Sequence, residues 1–154
     1  MKENLFSNKQ KQLNYQEQFK RLDRALKQKF YLEAMFIEYA IMEDRCDSIL
    51  GYEGNQINSK NFVSIDRKLD KIKKIAEQKK SLPNRYFSDE LIDIIKGWKE
   101  KRNGLIHALL KKELTTEGLE TVALEGYALA RQLCNKAGNY KRAVERRKDL
   151  KQGY

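Results

Sequence analysis

The 154-residue sequence contains few of the residues that interrupt helices, namely one proline and eight glycines. Alanine, leucine, isoleucine, glutamate, lysine, arginine and glutamine dominate it instead, and these residues favour helices over the turn-rich pattern of a β-sandwich. A chain of this length forms about one domain, so a single hydrophobic core is enough. We therefore predict one all-α domain over residues 1–154.

Long apolar segments are also missing. No stretch of about 18 uncharged apolar residues occurs, and the amino terminus has no apolar run of the kind that a secretory signal needs. Cys46 and Cys134 lie in apolar helical patterns without a second thiol or a histidine nearby. Neither a zinc site nor a disulfide framework is therefore indicated. We expect both cysteines to be reduced core residues of a cytoplasmic protein that does not insert into a membrane.

The sequence also lacks the common motifs for metals and nucleotides. It has one histidine, no Cys-x-x-Cys pair, no Gly-x-Gly-x-x-Gly run and no Gly-Lys-Ser/Thr run. Zinc hydrolases, dinucleotide-binding proteins and P-loop enzymes each depend on one of these patterns. We expect neither a metal nor a cofactor.

Positive charge is concentrated at the two ends of the chain. Residues 1–29 contain eight lysines and arginines against three acids (+5), residues 141–154 contain six against two (+4), and the middle contains eighteen against seventeen (+1). Basic flanks attract nucleic acid in a salt-dependent way, but they carry no sequence information and also occur in proteins that bind none. Charge alone leaves the nucleic-acid interpretation open.

Apolar residues recur at helical spacing along most of the chain, which predicts an antiparallel bundle of four to five helices plus a short C-terminal basic helix. The connection over 51–63 is a loop by composition. The predicted elements are a basic helix over 9–29, a central helix over 30–50, a third helix from Ser64 that ends at Pro83, a fourth from Ser88 to about Leu110, a fifth from Thr116 that stops at Gly138 and Asn139, and a basic tail over 139–154.

A charged residue interrupts the apolar stripe of the fourth helix. Steps of four and three residues along this helix bring Arg102 onto the stripe that should face another helix. Arg102 could lie at the edge of the stripe with its guanidinium in water. It could instead form a buried ion pair with Glu38 or Glu43 of the central helix. The apolar members of the stripe are Leu91, Ile95, Trp98, Leu105 and Leu109.

A third interpretation is functional and includes two neighbours of Arg102. Asn103 and His107 share one helix face, and His107 lies about 140° around the helix from Arg102, a gap that the arginine stem can close. Arginine offers a fixed charge for phosphate, and histidine titrates near neutrality. Histidine could move a proton as the RNA 2′-hydroxyl attacks its own phosphate, while arginine stabilises the charge on the phosphoryl oxygens. DNA lacks that hydroxyl and should be inert.

The segment over 98–109, WKEKRNGLIHAL, resembles the signature of HEPN domains, the higher eukaryote and prokaryote nucleotide-binding superfamily. That signature is an arginine, a polar residue, a few further positions and a histidine. Arg102, Asn103 and His107 match it, with four residues between the arginine and the histidine. The central helix over 31–43 resembles the family's long helix with its acidic position, for which Glu38 and Glu43 are both candidates.

The resemblance implies a helical homodimer in which two copies of the motif meet in one cleft, and, in many members, metal-independent RNA cleavage. His107 would be the general acid/base, and Arg102 would stabilise the phosphate and the transition state. Asn103 would support them, and Glu38 or Glu43 would be the supporting acid. Such members serve in toxin–antitoxin, phage-defence and CRISPR-associated systems, so an antitoxin or another regulatory protein is an expected partner.

Some HEPN members have lost the motif and act as binding or scaffold domains. The alternative function is therefore a non-catalytic HEPN-like bundle that binds RNA or a partner protein, and a general nucleic-acid binder driven by the basic ends is a third possibility. A solvated tail would account for the basic residues after 140 about as well as RNA binding would. The basic residues expected to contact RNA are Lys99, Lys101, Lys141, Arg142, Arg146 and Arg147.

Overall fold

The computed structural model describes residues 8–54 and 62–153. All regular secondary structure within these ranges is helical, which confirms the predicted all-α class. Residues 55–61 of the predicted 51–63 loop lie outside the described ranges. The helices are α1 (Asn8–Lys27), α2 (Tyr31–Tyr52), α3 (Ile65–Ala76), α4 (Leu82–Phe87), α5 (Leu91–Ala108) and α6 (Thr116–Gln152).

Side-chain caps fix where α3, α4 and α6 begin. The Ser64 hydroxyl accepts a hydrogen bond from the Arg67 amide at 3.4 Å and starts α3. Thr115, one residue before the predicted cap, accepts from the Gly118 amide at 3.1 Å and starts α6. Such caps satisfy amides that have no partner within the helix.

The predicted start of the fourth helix at Ser88 is wrong, because Ser88 ends α4 and α5 begins at Leu91 after Glu90, whose side chain forms no capping hydrogen bond.

One short helix was not predicted. The predicted end of the third helix at Pro83 is wrong, because α3 ends at Ala76 and Lys80 then adopts a left-handed backbone conformation (φ 65°) that a helix cannot continue through. Pro83 lies instead in the first turn of α4, where a missing amide proton costs nothing. Ser81 caps this helix by accepting from the Asn84 amide at 3.1 Å. The short α4 carries the buried ring of Phe87 into the core.

The predicted stop at Gly138 and Asn139 is wrong, because α6 continues through both residues to Gln152 and includes the expected tail helix. A glycine inside a helix costs only about 1 kcal/mol relative to alanine. Ala137 and Tyr140 on either side are buried, and the Tyr140 ring contacts Phe87 edge-on with centroids 5.3 Å apart. Burial of this large aromatic side chain is worth more than the local preference to stop.

The predicted central helix is α2, which packs against α1, α3 and most extensively α6. One cluster of buried side chains draws on all six helices. Its largest member, Trp98 of α5, is fully buried, and its indole nitrogen donates to the Val122 carbonyl at 2.8 Å. Cys46 is buried, Cys134 is half-buried, and neither forms a disulfide. No helix in the described ranges is long and apolar enough to cross a membrane.

Candidate functional site

The stripe of α5 leaves the core at Arg102. Trp98 and the stripe residues before it are buried, Arg102 and Leu105 are half-buried, and Leu109 is 41% exposed. The first half of the stripe therefore packs against the bundle as predicted, and the second half extends beyond it. Arg102 stands at this boundary and lines a surface cavity.

Neutral groups hold the Arg102 guanidinium. Its central carbon lies 4.4 Å from the centroid of the Tyr39 ring, close enough for a cation–π contact. One of its terminal nitrogens, Nη1, donates to the Asn103 side-chain oxygen at 3.0 Å. Its Nε is buried and has no hydrogen-bond partner in the part of the chain that the structure describes. Among the described residues no carboxylate forms an ion pair with Arg102, so its positive charge is not neutralised within them.

Glu38, one of the two candidate acids, is fully buried and has no polar partner in the described part of the chain. It lies beside Trp98 and Gly126, where a methyl group added to the glycine would overlap both side chains. Burial raises the pKa of this carboxyl group to about 9, so that it is neutral at pH 7. A neutral acid offers no charge to arginine, and Glu38 is not the ion-pair partner of Arg102.

Glu43, the other candidate acid, lines the same cavity as Arg102 but is paired elsewhere. The buried Lys68 ammonium lies 3.1 Å from the Glu43 carboxylate and 2.9 Å from that of Asp47. Burial alone would lower the pKa of Lys68, but its hydrogen bonds to the two carboxylates outweigh burial and raise it. Lys68 thus partly neutralises the acidic wall of the cavity that faces Arg102.

His107 lies in the last turn of α5 with an exposed side chain. No hydrogen bond or ion pair joins it to another described residue. The structure thus brings Arg102 and Asn103 into contact, whereas His107 stands apart from them on the same helix. Its imidazole is open to solvent, and to any molecule that docks at this end of α5.

The two predicted RNA-binding lysines on α5 form ion pairs. Lys99 is only 5% exposed, and its ammonium contacts the carboxylates of Asp66 and Glu100. Lys101 is exposed and lies 3.0 Å from the Glu125 carboxylate. Lys99 therefore ties α5 to α3, while Lys101 would have to exchange a protein partner for a phosphate.

The predicted basic tail forms the last turns of α6. Arg142, Arg146 and Arg147 are exposed along it, and Arg142 donates to the Asn139 side-chain oxygen. Lys141 is half-buried and lines a cavity away from Arg102. Because α6 is continuous, these charges are displayed on an ordered helix that the core anchors.

Two side chains of the site had no distinctive signal in the sequence. Tyr39 stacks on Arg102, and Phe36 lines the same cavity with 68% of its surface exposed. Both lie in the apolar pattern of α2, where an aromatic residue indicates core packing. Only the tertiary arrangement of the bundle places these α2 side chains beside the arginine of α5.

The described residues contain no cluster of three or more histidine, cysteine, aspartate or glutamate side chains that could hold a metal ion. Comparisons of the chain with protein-family models, with characterised proteins and with solved structures gave no match. The residues of the site are therefore the basis for a functional proposal.

Proposed function

We propose that the protein is a metal-independent endoribonuclease of the HEPN type, in which Arg102 binds the scissile phosphate and His107 is the general acid/base. The observation that carries the proposal is the Arg102 guanidinium, which is half-buried, held by Tyr39 and Asn103, and not ion-paired within the described residues. An arginine fixed by neutral contacts can give its charge and its remaining donors to a phosphate.

The cleavage step requires two proton transfers. A base removes the proton of the RNA 2′-hydroxyl as that oxygen attacks phosphorus, and an acid protonates the departing 5′-oxygen, which leaves a 2′,3′-cyclic phosphate. Arg102 would stabilise the negative charge on the phosphoryl oxygens. Each chain has a single histidine, His107, so a homodimer with two facing motifs would supply both the base and the acid.

Exposed apolar side chains near Arg102 support such a dimer. Phe36, in the wall of the Arg102 cavity, is 68% exposed, and Ile106, one helical turn after Arg102, is 36% exposed. Leu109 and Leu110, the two residues after α5, are 41% and 99% exposed. Apolar surface next to a cation is typical of a protein interface, where arginine and aromatic residues are enriched.

The nuclease proposal is tested by incubating the purified protein with RNA in excess EDTA. We expect fragments ending in 2′,3′-cyclic phosphate and no cleavage of DNA. His107→Ala should lower the rate by a factor of about 100 or more, and Arg102→Ala by a similar factor. The control Lys112→Ala, which removes an exposed charge just after α5, should cut at the wild-type rate.

Full cleavage of RNA by His107→Ala, or no cleavage of any RNA class by the wild type, would reject the nuclease proposal.

The separation of His107 from Arg102 within one chain favours the second candidate function, a non-catalytic bundle that binds RNA or a partner protein. Thermal unfolding distinguishes the two. Marked destabilisation by both Arg102→Ala and His107→Ala, without any change in RNA chemistry, would support the binding module.

The dimer is tested by the change Phe36→Glu, which places a charge in the exposed apolar surface. We expect analytical ultracentrifugation to show a dimer for the wild type and a monomer for the variant, with cleavage lost in parallel. Leu150→Glu, at a 70% exposed position near the end of α6, is the matched control and should leave the dimer intact. A wild-type monomer that still cuts RNA would reject the shared cleft.

The biological setting is part of the same proposal. Uncontrolled RNA cleavage harms the cell that carries it out, so we expect an antitoxin or another regulatory protein to restrain the enzyme. A cytoplasmic role in a toxin–antitoxin, phage-defence or CRISPR-associated system would provide such control.

A further inference from the structure

A second cavity lies between α1, α2 and the second half of α6. It has a volume of about 470 Å³, and the residues of α2 that line it are on the opposite side of that helix from those that face Arg102. A cavity of this size matches those that hold small organic ligands. We call it the basic cleft, because its lining includes Lys9, Lys11, Arg45 and Lys141 together with Tyr15 and Tyr52.

The basic cleft has more positive charge than the described residues around it neutralise. Asp44, just outside the lining, lies 3.0 Å from the Arg45 guanidinium and 3.3 Å from the Lys11 ammonium. Lys9 and Lys141 form no ion pair with a described residue. Within the described residues the four lining cations have one carboxylate, that of Asp44, as an ion-pair partner, which leaves an excess of three positive charges for an anion.

The two tyrosines that line the basic cleft, Tyr15 and Tyr52, differ in how firmly their neighbours hold them. The Arg45 guanidinium lies 4.2 Å above the Tyr15 ring, and the Tyr15 hydroxyl donates to Asp44, so Tyr15 belongs to the wall. Tyr52 is half-buried and touches Tyr140 edge-on, with centroids 6.3 Å apart. Because Tyr52 lines the basic cleft and is only half-buried, part of its side chain is open to a flat ring that enters the cleft.

We infer that the basic cleft binds one or two nucleotides of a single-stranded RNA, with phosphates on Lys9 and Lys141 and a base against Tyr52. Basic grooves with aromatic side chains bind single strands in this way, because unpaired bases can leave the strand and stack. A duplex keeps its bases paired inside the helix. It is also too wide for one of its bases to enter a cleft of this size. Lys141 also adjoins the exposed arginines of α6, along which the strand can continue.

This inference rests on the proposed function for its choice of RNA and adds a contact away from the cleavage site. The experiment measures binding rather than cleavage, with a fluorescent single-stranded RNA of twelve nucleotides and the His107→Ala protein, which leaves the RNA intact. The test variant is the pair Lys9→Gln and Lys141→Gln. The control pair, Lys71→Gln and Lys74→Gln, removes the same charge from exposed positions on α3.

When the logarithm of affinity is plotted against the logarithm of salt concentration, each phosphate contact to a single strand contributes about 0.7 to the slope. At about 0.1 M salt such a contact raises the affinity roughly fivefold. The cleft pair should therefore weaken binding by about 25-fold and lower the slope by about 1.4, while the control pair should change little. A 4-thiouridine-containing RNA should cross-link to the peptide that carries Tyr52, which tests the cleft even if a variant folds poorly.

Equal losses for the two pairs, unchanged binding by the cleft pair, or cross-links only outside the basic cleft would overturn the inference. So would a cleft that binds adenosine monophosphate but not the RNA. The two proposals fail separately. If the cleft pair loses binding but the wild type does not cleave RNA, the basic cleft is supported and the nuclease proposal is rejected. If the wild type cleaves RNA but the cleft pair binds it as well as before, the nuclease proposal is supported and the basic cleft is rejected.

Discussion

The buried carboxyl group of Glu38 should make the protein lose stability as the pH rises. With a pKa of about 9 in the folded state and an ordinary value near 4.5 in the unfolded state, Glu38 keeps its proton when folded and loses it on unfolding. The unfolded state therefore binds fewer protons between these two values. A rise in pH accordingly favours unfolding throughout that window, and the effect is absent below about pH 4.5.

The size of this effect follows from the proton difference. One proton contributes about 1.4 kcal/mol per pH unit, so Glu38 lowers the free energy of unfolding by roughly 4 kcal/mol between pH 5 and pH 8. That is a large fraction of the free energy of unfolding of a typical domain, which is about 5–15 kcal/mol. Glu38→Gln imitates the protonated acid and removes the titration, so the variant should be increasingly more stable than the wild type as the pH rises.

The assay is urea unfolding followed by circular dichroism at several pH values from 5 to about 8.5, a range that lies inside the window. We expect the difference between Glu38→Gln and the wild type to grow by about 1.4 kcal/mol per pH unit. Glu145→Gln, at an exposed position on α6, is the control and should show no such slope. Parallel stability curves for wild type and Glu38→Gln would refute the description of Glu38 as a buried, unpartnered acid.

Two further predictions concern the core. Gly126→Ala should lower the free energy of unfolding by about 1–3 kcal/mol, because the added methyl group would overlap the Trp98 ring and the buried Glu38 carboxyl group. Urea unfolding measures this change. The control Gly97→Ala, at a position with open space around it, should stabilise α5 slightly instead. Burial raises the pKa of the Cys46 thiol to about 12 and that of Cys134 to about 11, so at pH 8 iodoacetamide should label both only after unfolding; rapid labelling of the native protein would contradict their burial.

The fold was predictable wherever local signals decided it. Ser64 starts α3 as predicted, because a cap and the apolar pattern after it are both local features. Gly138 shows where local signals fail: it favours a stop, but the buried Tyr140 two residues later holds α6 together through contacts with other helices. The sequence contains both residues but does not show what Tyr140 packs against.

Only part of the candidate site was predictable from the sequence, because only part of it depends on local signals. Arg102 interrupts a stripe on its own helix, so its unusual place could be recognised from spacing alone. Tyr39 and Lys68 could not be found in this way, because the packing of the whole bundle decides that Tyr39 meets Arg102 of α5 and that Lys68 meets Glu43 of α2. The choice between Glu38 and Glu43 depended on the same packing, which buries one acid and pairs the other with lysine.

If Arg102 and His107 cut RNA as we propose, the attacking group is the 2′-hydroxyl next to the scissile phosphate. The most direct measurement uses an RNA with one mapped cleavage position and a second RNA that differs only by a 2′-deoxyribose at that position, each incubated with wild-type protein in excess EDTA. We expect cleavage of the first RNA, with a 2′,3′-cyclic phosphate at the new end, and no cleavage at the deoxy position of the second. Equal cleavage of both RNAs, or of neither, would contradict the proposed mechanism.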